Sequence, residues 1–213
     1  MIGIVLAEWS MEAISGIILA GGKSRRMGVN KALLTIGGQP LIRRVADVVA
    51  QVADELIVVA DQPGLYAHLG VRVVGDLLPG RAALGGMYSG LRTARHFHCL
   101  VVACDMPFLN LNLLRYMVTC APGWDVVIPR LDGWLEPLHA LYSRTCLSPI
   151  EKLLAEGNLK IIDLLPEVRV RYLEQEEIEL FDRQHLCFTN VNTPAELNRT
   201  RYIAAYSAER GYC

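Results

Sequence analysis

Short apolar runs alternate with amphipathic stretches of helix length along most of this chain, and that alternation limits the fold more than any other feature. Residues 14–20 are apolar enough to form a strand buried on both faces. Residues 40–53 then place Leu41, Val45, Val48, Val49 and Val52 at helical spacing, as a crossover helix requires. The same reading predicts strands at 56–60 and 71–74, a helix at 84–95 and a buried strand at 98–103 ending on Cys104-Asp105. It continues with a helix at 110–120, strands at 125–128 and 138–142, and a helix at 148–156. Beyond these come a short helix at 160–165 stopped by Pro166, a strand at 168–173 and a closing helix at 193–204, with Thr193 as its cap and Pro194 in its first turn. Strand, crossover helix and strand repeated in this way give an α/β domain with a mostly parallel sheet. Ligands of such sheets bind beyond the carboxyl ends of the strands, which here gathers the loops 21–31, 75–86 and 104–107 into one cleft.

A length of 213 residues fits one domain, assigned to 13–205, with 1–12 as a dispensable extension and 206–213 as a tail. Met11, just before the first strand, would also serve as a start. With 52% hydrophobic and 20% charged residues the chain can bury a core, and a formal net charge of −1 supplies no overall field for nucleic acid. The six cysteines form no Cys-x-x-Cys pair and sit mostly in apolar surroundings, which fits reduced core thiols; a zinc site using His96 or His98 beside Cys99 lacks a second pair to close it. No apolar run approaches the ~20 residues of a membrane span, and the first seven residues lack the basic flank of a secretory signal, so a cytoplasmic location is expected.

The loop after the first strand carries the strongest chemical signal. It reads Leu19-Ala20-Gly21-Gly22-Lys23-Ser24-Arg25-Arg26-Met27-Gly28-Val29-Asn30-Lys31, with four cations within nine residues. Paired glycines let the backbone approach a ligand closely, successive N–H groups can form an anion nest, and the cations add the charge a triphosphate would need. A solvated basic loop with turn glycines would account for the glycines or the charge separately, but poorly for both directly after a buried strand. Two common phosphate motifs are excluded: Gly28 follows Gly22 by six and precedes Val29, so there is no P-loop, and Gly-x-Gly-x-x-Gly is absent.

This loop resembles the Leu-Ala-Gly-Gly-x-Ser-x-Arg-Met-Gly-x-Asp-Lys signature of a nucleotidyltransferase family, most closely the molybdenum cofactor guanylyltransferase (MobA) family. The likeness continues in order through Gly38-Gln39-Pro40-Leu41, Asp76, Leu84-Gly85-Gly86-Met87, Cys104-Asp105-Met106-Pro107, Pro137-Leu138-His139-Ala140-Leu141 and Asn190-Val191-Asn192-Thr193-Pro194. The resemblance implies a single Rossmann-like three-layer α/β/α domain of the nucleotide-diphospho-sugar transferase kind. It also implies dependence on Mg²⁺ and transfer of GMP from GTP to molybdopterin bearing molybdenum, with release of pyrophosphate. Molybdenum-insertion proteins and molybdoenzyme chaperones are further partners of such an enzyme; nucleic acid and membrane are not. A cytidylyltransferase or sugar-phosphate nucleotidyltransferase of the same fold, or a nucleotide-binding partner protein without turnover, is the alternative.

By position, the resemblance puts the guanine and ribose on Leu19, Ala20, Gly21 and Gly22, the phosphates on Arg26 and Lys31, and the nucleotide also on Asp76. It makes Asp105 the Mg²⁺ ligand, where the alternative is a helix cap, and places Asn190 and Asn192 on the acceptor side. Related cytidylyltransferases resemble Leu-Ala-Ala-Gly here, so Gly21 would leave room for a purine. The acceptor phosphate is already anionic and needs no general base, and His139 is expected in or just behind the core. The chain departs from the family pattern at Asn30, where aspartate is usual, at Val59, where some members have asparagine, and at Arg81-Ala82-Ala83, which replaces the commoner Gly-Pro pair.

Overall fold

The structure is a computed structural model that describes residues 12–21 and 30–210, with side chains described as far as 206. In chain order it contains β1 (Ser15–Leu19), β2 (Thr35–Ile36), β3 (Gln39–Pro40), α1 (Leu41–Val49), β4 (Glu55–Ala60), β5 (Arg72–Gly75), α2 (Ala82–Thr93), β6 (His98–Ala103) and α3 (Leu111–Thr119). After these come β7 (Val126–Leu131), β8 (Trp134–Leu135), β9 (His139–Ser143), α4 (Leu147–Ala155), β10 (Val170–Leu173), α5 (Gln175–Ile178) and α6 (Pro194–Arg210).

The main sheet runs β10-β7-β9-β6-β1-β4-β5, and β8 pairs with β7. The contacts of β1 with β4 and β6, of β4 with β5 and of β7 with β10 are parallel, while β9 runs antiparallel to both its neighbours. Helices cover both faces, so central strands read as continuous apolar runs: all of β1 and β6 is buried. One face packs Ile18, Val58 and Val102 against Val45 and Val49 of α1 and Leu113 and Met117 of α3. The other packs Ile17, Ile57 and Val101 against Met87 and Leu91 of α2 and Ile150 and Leu154 of α4. The α2 layer lies close on the sheet, because a Cβ at Gly90 would come within 2.5 Å of Ile17 Cγ2. The expected three-layer, mostly parallel architecture is therefore the one observed.

The differences from the sequence reading lie at element ends and in small elements. Leu41 opens α1 because Pro40 completes a two-stranded hairpin with β2, turned by Gly37 and Gly38 at positive φ. The segment after α4 passes through Pro166 as a 3₁₀ turn, Ile161–Glu167, since the φ that proline fixes suits that turn. The hairpin residue Ile36 packs with Leu41, Val191 and Leu197, which fastens the start of α6 to the domain. The same helix runs on to Arg210, past the boundary expected at 205. Of the cysteines, 99, 104, 120, 146 and 187 are free thiols, and burial pushes Cys99, Cys104 and Cys146 up to about 12. His98 spends both ring nitrogens on Glu12 and the Trp124 carbonyl, at 3.0 and 3.1 Å. No helix among the described residues is long and apolar enough to cross a membrane.

Candidate active site

Parallel strands that end together leave their following loops on one edge of the sheet. Here that edge opens onto a cleft of about 630 Å³ between the ends of β1, β4, β5 and β6 and the start of α2. Leu19, Ala20 and Gly21 form its floor with Val59, Asp76 stands at the β5 side, and Lys31 and Asp105 stand at the β6 side. Gly22 and Arg26, both expected to contact nucleotide, lie outside the described residues.

The two ends of the basic loop are tied together by a buried tyrosine. Asn30 Nδ2 donates to the Tyr66 hydroxyl at 2.9 Å, and that hydroxyl reaches the Ala20 carbonyl at 3.3 Å. Tyr66 is 1% exposed, and burial raises its pKa, so it stays a neutral phenol. Asn30 Oδ1 also accepts from Ala32 N at 3.1 Å and so starts the turn Lys31–Leu33. The Asn30 amide thus donates through its nitrogen to one partner and accepts through its oxygen from another.

That turn aims Lys31 along the cleft wall. Its Nζ donates to Asn192 Oδ1 at 2.5 Å and lies 3.7 Å from Asp105 Oδ2. Asn192 is itself fixed from behind: Glu196 Oε2 accepts from Asn192 N at 2.7 Å and Thr193 N at 2.9 Å, while Thr193 Oγ1 accepts from Glu196 N at 3.2 Å. This is a reciprocal cap on α6. The peptide N–H groups at 192 and 193 hold the Glu196 carboxyl below its usual range. A main-chain bond from Val191 N to Asp105 O, 3.0 Å, draws the same segment against the end of β6.

Asp105 has lost most of its solvent, which raises its pKa, and the Lys31 ammonium opposes that shift. It caps no helix: Asn110 does so for α3, accepting from Asn112 N and Leu113 N at 3.0 Å each. The Asp105 carboxylate is therefore left facing the cleft and the lysine. Asp76 is partly committed, with Oδ1 accepting from Leu78 N at 2.9 Å and Ser89 Oγ at 2.8 Å.

The two asparagines assigned to the acceptor side are placed differently. Asn192 is turned onto Lys31, Asn190 donates to the Phe188 carbonyl at 3.2 Å, and neither is among the residues that line the cleft. His139 is fully buried, its ring 4.8 Å from that of Phe188, and burial pushes its pKa down to about 4. It belongs to the core, as expected. Sequence reasoning passed over Asp61, Tyr66, Ser89 and Glu196. Only Glu196 had a local signal, standing three residues after the capping Thr193.

With this geometry in view, comparison with known proteins is informative. Residues 16–170 match the family model of the MobA-like NTP transferase domain. A probable molybdenum cofactor guanylyltransferase of Pelotomaculum thermopropionicum is 44% identical over 193 residues, 91% of this chain and 94% of that protein. A molybdenum cofactor guanylyltransferase of Desulfosudis oleivorans is 37% identical over 202 residues, 94% of this chain and 99% of that protein. Among solved structures, molybdopterin-guanine dinucleotide biosynthesis protein A of Archaeoglobus fulgidus superposes with a TM-score of 0.79 at 28% identity, covering 90% of this chain and 99% of that one. The glycine-rich loop end, the cleft beyond the strands and the Lys31–Asp105 pair thus occur in a chain that belongs to the MobA-like NTP transferase family.

Proposed function

We propose that this protein transfers GMP from GTP to molybdopterin bearing molybdenum and releases pyrophosphate. The observation that carries this reading is the convergence of Lys31 and Asp105 at the β6 side of the cleft, away from the open Leu19–Gly21 floor. Guanylyltransferase relatives that match nearly the whole chain support the choice of nucleotide and acceptor.

The base and ribose lie over Leu19, Ala20, Gly21 and Gly22, with Asp76 beside them, and the triphosphate extends toward Lys31 and Arg26. An acceptor phosphate oxygen attacks the α-phosphorus in line. Lys31 neutralises charge that grows on the α-phosphate and on departing pyrophosphate, the effect a preorganised cation contributes in a partly desolvated site. The acceptor oxygen is already anionic, so no proton acceptor is needed, and His139 is buried in the core.

Asp105 fits a hard cation. It is one carboxylate in a cleft sized for a nucleotide, where phosphate oxygens and water would complete the coordination of Mg²⁺. When bound, Mg²⁺ would neutralise phosphate charge and favour pyrophosphate as a leaving group. Asp105 would hold it, and Lys31 would give up its contact with Asp105 for the phosphates while Asn192 keeps it in reach. Incubation with labelled GTP, Mg²⁺ and molybdenum-loaded molybdopterin should yield the guanine dinucleotide product and stoichiometric pyrophosphate. Equal turnover of CTP, or GTP binding without pyrophosphate release in the presence of acceptor, would refute the reading.

A further inference from the structure

The backbone after β4 runs beside the glycine-rich loop, because β1 and β4 pair in register from Ser15↔Glu55 to Leu19↔Val59 and Ala20 N continues the ladder to Val59 O at 2.8 Å. Gly21 and Asp61 are therefore neighbours across 40 residues of sequence. A Cβ built on Gly21 would stand 3.3 Å from Asp61 Oδ1 and 3.7 Å from its Cγ. The methyl that glycine lacks would thus crowd a carboxylate, an additional reason for glycine beside the room it leaves for a purine. The lining near this carboxylate is apolar and small, formed by Leu19, Val59, Ala83 and Gly86, so a base could lie on it without meeting a competing polar side chain there. A Cβ at Gly86 would meet Leu19 Cδ2 at 3.5 Å and Val59 Cγ1 at 3.9 Å, so Gly86 packs directly on these two side chains and the three make one continuous apolar wall. Val59, in the same lining, is apolar, and its side chain cannot hydrogen-bond a base. Asp61 lies on the β4 side of β1, opposite the Lys31–Asp105 end, where the base of an extended triphosphate would sit.

We propose that Asp61 is the residue that selects guanine, its two carboxylate oxygens accepting from N1–H and the N2 amino group of the base while Gly21 leaves room for the carboxylate to lie there. The inference rests on the reading that GTP is the donor. Its chemistry is that an ionised aspartate only accepts, and that guanine alone among the common bases presents two adjacent donors on its pairing edge. Cytosine, adenine and uracil each set at least one acceptor against the carboxylate, and a site built to pair with a group penalises analogues that leave it unpaired.

Equilibrium titration of the full chain with GTP, ITP, XTP and CTP in the presence of Mg²⁺ tests this, with the Asp61→Asn variant alongside. The wild type should bind GTP about tenfold or more tightly than ITP, which lacks only the 2-amino group, and should reject XTP. Asp61→Asn offers one acceptor and one donor, matching N1–H and the 2-carbonyl of xanthine, so the order of GTP and XTP should reverse. Uniform weakening of all four triphosphates in the variant would mean that Asp61 acts on the loop or the phosphates, and would overturn the proposal. A wild type that binds GTP and ITP equally would overturn it too, even if the variant failed to fold. Failure of the parent reading looks different: CTP would then match or exceed GTP in the wild type, and both conclusions would fall together.

Discussion

Lys31 reaches the cleft under three restraints: the turn that Asn30 starts, the Asn192 side chain, and the Asp105 carboxylate. Removing the ammonium in Lys31→Ala should lower kcat on the order of 10²-fold or more, and the melting temperature should barely move because the side chain carries little of the core. A large loss of stability with a small kinetic loss would instead make Lys31 a structural lysine. Asp105→Asn keeps size and much of the hydrogen bonding, so the fold should survive while the Mg²⁺ needed for half-maximal pyrophosphate release rises steeply. Superimposable Mg²⁺ titrations of variant and wild type would overturn the proposal that Asp105 holds the metal. Glu196 acts at one remove, since its carboxylate orders the peptide groups from which Asn192 projects. Glu196→Ala should cost on the order of tenfold in kcat with little change in KM for GTP, and Glu196→Gln, which can still accept, should restore most of it. Equal losses in the two variants would show that the charge matters rather than the cap. None of this clamp is visible around Lys31 in the sequence, because lysine and Asn192 stand 161 positions apart.

At the scale of elements, α2 begins under backbone strain. Ala82 takes φ 51, in the left-handed region, on the wall of the cleft. The side chain at such a position costs ~1–2 kcal/mol, partly offset by the smaller freedom alanine has in the unfolded chain. Ala82→Gly should therefore raise stability by about 0.5–1 kcal/mol, read as a higher melting temperature. A fall would mean that the Ala82 methyl makes contacts worth more than the strain. The helices and central strands themselves were legible, as was the polar edge where their loops meet, since periodicity, glycine and proline act within a few residues of chain. The β2–β3 hairpin and α5 were not, because elements of two to four residues carry too little pattern and owe their existence to what they pack on.

Across the whole molecule, the strand that ends the sheet is held by an ion pair rather than by apolar surface alone. Asp125, just before β7, accepts from the Arg169 side chain at 3.0 and 3.1 Å and from Arg169 N at 3.0 Å, which fastens β10 to its neighbour, and from Thr145 at 2.8 Å. The Arg169 guanidinium holds this carboxyl well below the usual range. A depressed folded-state pKa gives stability that is complete above the unfolded value of ~3.9 and is lost as pH falls through the folded one. Asp125→Asn should thus melt several degrees below wild type at pH 7, with the gap closing below about pH 3. A gap independent of pH would assign the loss to packing. For this chain, sequence alone determined the layered α/β architecture and pointed to the glycine-rich loop and to the residues proposed for phosphate and metal, because each is written in neighbouring residues or in an ordered set of motifs. Which of those residues meet was decided only by the tertiary structure. Parallel pairing of β1 with β4 sets Asp61 against Gly21, and the docking of α6 on the small hairpin brings Asn192 to Lys31. Such contacts depend on strand order and helix docking, which no local stretch of sequence encodes.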